Sequence, residues 1–586
     1  MKFTLSLLLS LLLLACSNTP NTPSSNKEFI APEAASGYQE KAGVLAPHRM
    51  VAAANPLATQ AGLSILQAGG SAVDAAIAVQ MVLTLVEPQS SGIGGGAFML
   101  HFDGKTTEAF DGRETAPFAA TDNLFQKTNG STMAFYEGVV GGRSVGSPGV
   151  MRMLALAHQR HGKLPWAALF QPAITLANNG FAVSPRLALL LSRDKYLAQD
   201  AEARRYFYDA QGKPWPAGHL LKNPALANTL QAIATQGVDA FYQGRIAQNI
   251  VSKVQHHPSN AGLLSLQDLQ QYQAKIRTPV CSDYLQWRVC GMPPPSSGGL
   301  AVAQMLGILQ RKSIMDFAPV NGQWNTEAIH LFSEAGRLVF ADRARYVADP
   351  DFTPSASWLP ALLNNDYLNT RAALIGPQSM GKATAGFITT GQDNAIEKPS
   401  TSHISIVDDR GNGLAMTTSI EDAFGSRIMV DGFLLNNQLT DFSFDAKDAD
   451  GLIANRVEGG KRPRSAMAPT LVFNKNTQQL VMSIGSPGGS AIINYVTKGL
   501  VATLGWQMTM QDAISLPNVG SRNGATELEQ GRINTTTQQA LQIRGHTLQI
   551  IDQTSGLQGI QRITHEGQGV WQGGADPRRE GVVLGD

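Results

Sequence analysis

The sequence has few cysteines and no excess of charge of either sign. Only three of its 586 residues are Cys, which excludes the disulfide-dense scaffolds that carry more than about 8% cysteine. The 46 Lys and Arg residues nearly cancel the 45 Asp and Glu residues. Because the charges balance, the composition gives no electrostatic reason to expect a nucleic acid or an anionic membrane surface as a partner.

The N-terminus carries an apolar run from Leu5 to Ala15 behind Lys2. It is too short to cross a bilayer core of ~30 Å, but it suits a signal peptide. The run ends at Cys16 in a Leu-Leu-Ala-Cys sequence that resembles the bacterial lipobox. We predict a lipoprotein signal peptide over residues 1–16 with lipidation of Cys16, and a flexible polar tether over residues 17–40.

These features predict export to the periplasm, with the membrane reached by the lipid anchor only. Ser17 is not acidic, which favours an outer-membrane address. An ordinary signal peptide with an incidental Cys16 is the alternative.

The two remaining cysteines, Cys281 and Cys290, flank a turn around residues 282–283 between two predicted short strands. In an oxidising compartment this spacing permits a disulfide that closes a small loop. Two free buried thiols are the alternative, and neither interpretation makes these cysteines catalytic.

The character of the chain changes at residue 401. Residues 387–400 (FITTGQDNAIEKPS) are polar and rich in turn formers, so we predict a mobile surface segment. Residues 403–407 and 413–420 alternate like two strands of a hairpin. A hairpin symmetric about Arg410 places Thr401 opposite Ser419, which brings two hydroxyl groups together.

A threonine hydroxyl is a weak nucleophile until a base lies beside it. Cleavage before Thr401 would supply that base, because the freed α-amine belongs to the same residue. Further along, a predicted strand over residues 480–484 leads through a glycine-rich turn into a helix that starts near residue 491. Such a turn leaves backbone N–H groups free to hold an oxyanion.

Ordered motifs in both halves of the chain resemble the gamma-glutamyltransferase family. In the C-terminal part they are residues 401–405 (TSHIS), 424–426 (FGS), 434–442 (LLNNQLTDF), 461–467 (KRPRSAM) and 485–490 (GSPGGS). Upstream they are residues 92–96 (GIGGG), 111–117 (DGRETAP), 292–299 (MPPPSSGG) and 341–343 (ADR). The resemblance covers roughly residues 41 to 580.

The resemblance implies an α/β (α+β) N-terminal-nucleophile hydrolase, a four-layer αββα sandwich built from two autoprocessed subunits. Self-cleavage between Ser400 and Thr401 would give a large subunit, residues 41–400, and a small subunit, residues 401–586, which form a heterodimer. Thr401 would be the nucleophile and Ser419 the second hydroxyl of the pair. Gly488 and Gly489 would form the oxyanion hole.

Substrate contacts follow from the same resemblance. Arg113 would bind the α-carboxylate of the glutamyl group through its planar guanidinium, with Ser465 nearby, while Gln438 and Asp441 would face the α-ammonium. Two departures concern the substrate. Glu421 stands where many relatives have Asn, and Ala466 replaces a second serine.

The expected reaction is cleavage of gamma-glutamyl amides such as glutathione, with transfer to water or to an amino acid or peptide, and without a metal or other cofactor. A glutaryl (cephalosporin-type) acylase of the same family is the alternative, and a non-catalytic surface lipoprotein is the alternative from another class.

Three further sequence patterns are weaker indications of function. Ser144 lies in a G-x-S-x-G pattern without its strand–turn–helix context, residues 92–96 lack the βαβ setting of a dinucleotide loop, and His256 and His257 lack metal-ligand spacing.

Overall fold

The computed structural model describes residues 37–354, 358–386, 390–398 and 400–586, which belong to one compact unit. Cys16, the predicted signal peptide and most of the predicted tether lie outside the described residues. In the described part of the chain, no helix is both long enough and apolar enough to cross a membrane.

Two seven-stranded sheets form the centre of the molecule. Their strands in chain order are β1 (Val44–Ala46), β2 (Met50–Ala53), β3 (Gly96–Phe102), β4 (Thr107–Gly112), β5 (Lys275–Arg277), β6 (Val280–Tyr284), β7 (Trp287–Gly291), β8 (Ser402–Val407), β9 (Gly413–Ser419), β10 (Thr470–Asn474), β11 (Leu480–Gly485), β12 (Gln558–His565), β13 (Gln568–Ala575) and β14 (Val582–Gly585). The first sheet has the order β1-β13-β12-β11-β10-β7-β6, and the second has the order β14-β2-β8-β9-β3-β4-β5.

The described residues form 18 α-helices, some of which cover the outer faces of the two sheets. They are α1 (Pro56–Gln67), α2 (Ala72–Val86), α3 (Phe135–Val139), α4 (Val150–His161), α5 (Gln171–Asn179), α6 (Pro185–Arg193), α7 (Ala201–Phe207), α8 (Pro224–Gln236), α9 (Asp239–Tyr242), α10 (Gly244–Gln255), α11 (Leu266–Gln271), α12 (Gly298–Arg311), α13 (Thr326–Tyr346), α14 (Leu359–Leu363), α15 (Asn365–Ala373), α16 (Ile492–Leu500), α17 (Met510–Ser515) and α18 (Thr535–Ile543). Short strands outside the sheets are Phe181–Ala182, Leu220–Leu221, Met429–Val430, Phe433–Leu434, Lys447–Asp448, Gly451–Leu452, Val519–Gly520, Thr526–Glu529 and Leu548–Ile551.

The four layers are the predicted αββα sandwich, so the expected fold class is confirmed. Helices α1, α2 and α4 pack on the second sheet, whereas α12, α16 and α17 pack on the first. The inner faces of the sheets meet through buried serines: Ser405 donates to the carbonyl of Gln558 (3.1 Å), and Ser483 donates to that of Leu414 (2.7 Å).

Helix α2 shows why this arrangement forms. Ser71 and Asp74 make a reciprocal capping box at its start, which satisfies free N–H groups of the first turn. Its residues are apolar on nearly every side and all are buried, as the sequence predicts for a central helix.

The predicted hairpin register is confirmed, because Ser402 pairs with Thr418 and His403 with Thr417. Some predicted bounds change. The helix predicted to start near residue 491 is α16, which begins at Ile492 and is followed by a π-helical turn, Val501–Gly505. Met429–Val430 and Phe433–Leu434 pair as a short two-stranded hairpin.

Cys281 and Cys290 are directly opposed on β6 and β7 and are joined by a disulfide in the structure. This is the first of the two interpretations that the sequence leaves open.

Candidate active site

Thr401 lies at the start of β8, buried beside Ser419 at the end of β9. The Thr401 hydroxyl donates to Ser419 Oγ at 3.1 Å, and the backbone N–H of Glu421 donates to the same oxygen at 2.9 Å. The φ of Thr401 is 100°, a region that β-branched residues rarely adopt. The residue is therefore both oriented by its neighbour and held in a strained backbone conformation.

The glycine turn after β11 faces the peptide bond between Ser400 and Thr401. The N–H of Gly488 donates to the carbonyl oxygen of Ser400 at 3.3 Å. Gly488 and Gly489 have φ values of 134° and 56°, which glycine adopts without a steric penalty. One backbone donor thus points at the carbonyl that a hydroxyl of Thr401 would attack.

Glu421 is a buried carboxyl group at the base of the site. Its Oε1 accepts the backbone N–H of Lys398 at 3.0 Å, and its Oε2 accepts from the side-chain amide of Asn437. Burial, with added repulsion from Asp441 and Asp422, raises the pKa of Glu421 well above its usual value. The carboxyl group therefore loses its proton readily only when a cation lies beside it.

Arg113 and Asp441 form a buried salt bridge. Asp441 Oδ2 accepts from Arg113 Nη2 and, at 2.8 Å, from the amide of Gln438. Burial raises the pKa of Asp441 to about 6, although Arg113 opposes that shift. Beside them, burial raises the pKa of Glu114 to about 8. Glu114 lies in the 111–117 motif, but no sequence pattern marks it as part of the site.

The structure brings the predicted residues together around one small pocket. Its lining residues are Arg113, Glu397, Lys398, Thr401, Ser419, Glu421, Gln438, Asp441, Ser465, Ala466, Met467, Gly489 and Ile492. About 20 Å³ of it is open, and Glu397 and Lys398, which precede Thr401, form part of its wall. Ser465 Oγ accepts the N–H of Met467 at 3.1 Å, so its hydroxyl proton is available to a ligand.

The prediction of a mobile surface segment before Thr401 is wrong for its last described residues. Glu397, Lys398 and Ser400 are 7%, 9% and 0% exposed. Glu397 is paired with Arg343 and Arg464, two buried arginines distant in sequence. Arg343 and Arg464 lie in the 341–343 and 461–467 motifs, but their pairing with Glu397 is not evident from the sequence, because local polarity does not reveal a distant partner.

The weaker motifs receive no support as catalytic sites. The Ser144 hydroxyl donates to the carbonyl of Val139 at 2.6 Å, within a single 3₁₀ turn, Gly142–Ser144. Residues 92–96 instead let the loop backbone pack closely against the end of β9. A Cβ on Gly95 would collide with the carbonyl oxygen of Ser419. That glycine helps to place Ser419 beside Thr401.

One cluster of potential metal ligands occurs among the described residues, formed by His330, Glu334 and His546. His330 Nδ1 lies 2.8 Å from His546 Nε2, and the outer ring nitrogens contact the Gly376 carbonyl and the Thr526 hydroxyl. All four ring nitrogens therefore have hydrogen-bond partners, so we interpret the cluster as a packing contact.

Comparison with known proteins gives a consistent result. The sequence model of the family described as gamma-glutamyltranspeptidase matches residues 58–586. The glutathione hydrolase proenzyme of Bacillus subtilis (strain 168) is 35% identical over 552 residues, which cover 92% of this chain and 91% of that protein. The acylase ACY 1 proenzyme of Pseudomonas sp. (strain V22) is 32% identical over 568 residues, covering 95% and 97%.

Among solved structures, the cephalosporin acylase from Bacillus halodurans is similar over 95% of this chain and 99% of its own, with a TM-score of 0.81 and 27% identity.

Proposed function

The chain belongs to the gamma-glutamyltranspeptidase family, and from that we propose that it is an autoprocessed enzyme that cleaves gamma-glutamyl amides such as glutathione. The gamma-glutamyl group passes to water, or to an amino acid or peptide, through an ester with Thr401. The observation that carries this proposal is the Thr401 hydroxyl beside a carbonyl whose oxygen accepts the Gly488 N–H.

Processing uses this geometry first. The Thr401 hydroxyl attacks the carbonyl carbon of Ser400, the Gly488 N–H holds the oxyanion, and the peptide bond is exchanged for an ester that water then hydrolyses. We propose that this yields a large subunit, residues 41–400, and a small subunit, residues 401–586. The strained φ of Thr401 disappears with the bond, which favours the reaction.

Turnover then reuses the same groups. The freed amine of Thr401 takes the proton of its own hydroxyl as that hydroxyl attacks the donor's γ-amide carbonyl. Gly488 and Gly489 hold the oxyanion, a contribution of ~3 kcal/mol for each donor in comparable sites. The leaving amine departs with a proton, and water or an acceptor amine resolves the ester.

We assign the donor's α-carboxylate to Arg113 and Ser465, and its α-ammonium to Glu421, Gln438 and Asp441. The support for Glu421 is the N–H of Lys398, which already donates to this carboxyl group in the uncleaved chain. An ammonium is a stronger donor and would favour the ionised form of Glu421.

The test combines N-terminal sequencing of the purified protein with hydrolysis of gamma-glutamyl-4-nitroanilide. We expect a small fragment that begins Thr-Ser-His at residue 401, release of nitroaniline, and a single inactive chain for Thr401→Ala. Full activity in an uncleaved chain would refute the mechanism.

A glutaryl acylase is a second candidate, and it is favoured by the similarity to the acylase ACY 1 proenzyme and to the cephalosporin acylase structure. Glutaryl and gamma-glutamyl groups differ only by the α-amine. If kcat/KM for glutaryl-4-nitroanilide exceeds that for the gamma-glutamyl compound, the donor assignment is wrong while the role of Thr401 stands.

We also propose that the mature protein is held at the periplasmic face of the outer membrane by lipid on Cys16. The support is the sequence ending at Cys16 and the polar tether that follows it.

A further inference from the structure

Glu397 lines the pocket in the uncleaved chain, and its carboxylate points to two arginines beside it. Its Oε1 pairs with Arg343 Nη2 and lies 3.3 Å from Arg464 Nε. Its Oε2 is buried and has no hydrogen-bond partner. Only one of its two oxygens is therefore satisfied, whereas a permanent buried carboxylate usually has partners for both.

The two arginines converge on this point from different parts of the chain. Arg343 belongs to α13 and also donates to Ser297 Oγ at 2.7 Å. Arg464 precedes Ser465, contacts Asp393 at 2.8 Å, and accepts from Arg113 Nη2 through its carbonyl at 2.7 Å. The three guanidinium groups therefore lie in one connected network beside the pocket.

Glu114 also lies beside Arg113, but its pKa of about 8 favours the protonated, neutral form. The other buried charges of this network balance only while Glu397 is present. They are Arg113, Arg343 and Arg464 against Asp393, Asp441 and Glu397. Burial opposes the ionisation of Glu397, but Arg343 and Arg464 more than offset it and hold the pKa of Glu397 below its usual value. Once cleavage allows this segment to leave, the arginines need another anion, because an unpaired buried charge is costly.

The neighbouring contacts indicate which anion that is. The residue after Glu397 presents its backbone N–H to Glu421, and a Cβ on Gly489 would lie 2.9 Å from the carbonyl oxygen of Glu397. The segment thus offers a carboxylate to arginines and an N–H donor to a carboxyl group, beside the glycine turn. A glutamyl donor offers the same pair, an α-carboxylate and an α-ammonium.

We propose that Arg343 and Arg464 are specificity-determining residues that hold the α-carboxylate of the acyl donor together with Arg113, and that Glu397 occupies their site in the uncleaved chain. This inference rests on the proposed function and adds two residues to it. It also gives a physical account of Ala466, since an arginine N–H supplies the contact that a missing serine hydroxyl would have made.

The test uses three anilides that differ in one group each: gamma-glutamyl, glutaryl without the α-amine, and 4-aminobutyryl without the α-carboxylate. Lysine retains the charge of Arg464 opposite Asp393 but loses the planar fork. In processed Arg464→Lys we expect kcat/KM for the gamma-glutamyl and glutaryl compounds to fall together. The selectivity for gamma-glutamyl over 4-aminobutyryl should drop by at least about tenfold.

Arg462→Lys is the matched control, because this buried arginine two residues away faces Asp111 and Asp349 and makes no contact with Glu397. Its selectivity should equal that of the unchanged enzyme. Arg343→Lys, in α13, provides a second and independent measurement of the same selectivity. If Arg464→Lys does not fold or process, Arg343→Lys alone tests the inference.

An equal loss on all three anilides in these variants would overturn the inference, since a merely structural defect does not distinguish the donors. Failure of the proposed function looks different, because the unchanged enzyme would then not hydrolyse the gamma-glutamyl compound at all.

Discussion

At the scale of single residues, Thr401 combines a reactive group with an unfavourable backbone. Its φ of 100° is imposed by the surrounding structure, including Arg579 Nη1, which donates to its carbonyl oxygen at 3.2 Å. Such a conformation costs on the order of 1–3 kcal/mol for a residue with a Cβ. The uncleaved chain therefore stores energy beside the Ser400–Thr401 bond, the bond at which we propose cleavage.

This strain can be measured in two variants that both lack the hydroxyl. We expect Thr401→Gly and Thr401→Ala to remain uncut, and the glycine variant to be more stable by about 1 kcal/mol because glycine tolerates positive φ. Thermal unfolding measures the difference. At Thr417, within β9, the order should reverse, because glycine weakens a strand. Equal unfolding temperatures at position 401 would argue against stored strain.

Glu421 predicts how donor binding depends on pH. Because burial raises its pKa, the free enzyme gains the negative charge only as the pH rises, and KM for gamma-glutamyl donors should fall with increasing pH. Glu421→Gln should remove this trend and impair gamma-glutamyl donors. Glutaryl donors lack the ammonium and should be unaffected or improved. Steady-state kinetics of both donors across pH would test this, and an identical pH trend for both would contradict it.

At the scale of elements, the site depends on close contact between the 92–96 loop and the end of β9. A Cβ on Gly95 would collide with the Ser419 carbonyl, so Gly95→Ala must displace the strand that carries Ser419. We expect slower self-cleavage and a loss of turnover on the order of 100-fold, since about 1 Å of misplacement has that effect. Densitometry of the two fragments and anilide hydrolysis provide the measurement.

Gly524→Ala is the control for this change, because nothing lies within 4 Å of the added Cβ there and the backbone φ is ordinary. It should cleave itself and turn over normally. A Gly95→Ala enzyme with normal cleavage would show that the loop does not position Ser419.

The β8–β9 hairpin and the segment before it show how much of the site can be predicted from the sequence. The hairpin register follows from a local turn, Asp408–Asn412, so alternation alone places Thr401 opposite Ser419. The burial of Glu397 could not be predicted in this way, because its partners lie 54 and 67 positions away in sequence. A polar segment is expected to be exposed unless charged residues from distant parts of the chain pair with its side chains. Such pairs form only in the folded chain and are not visible in the local sequence.

At the scale of the whole molecule, the anchor predicted at Cys16 concerns residues outside those that the structure describes. We expect Cys16→Ser to move the protein from the membrane fraction to the soluble periplasmic fraction, because a thiol is required for lipid attachment. Fractionation with mass spectrometry of the N-terminus tests this. Unmodified mature protein beginning well beyond Cys16 would contradict it.

The order of the second sheet, β14-β2-β8-β9-β3-β4-β5, interleaves strands from both sides of the proposed cleavage point. Before the cut, folding this sheet is a first-order event within one polymer, and the rate does not depend on concentration. After the cut, the same sheet must be rebuilt by an encounter of two molecules. We therefore expect the processed enzyme, once denatured, to regain activity at a rate that rises with protein concentration, whereas uncut Thr401→Ala refolds independently of it. We therefore expect the proposed self-cleavage to be irreversible in assembly as well as in chemistry, with the lifetime of the processed enzyme set by the rate at which its two subunits separate.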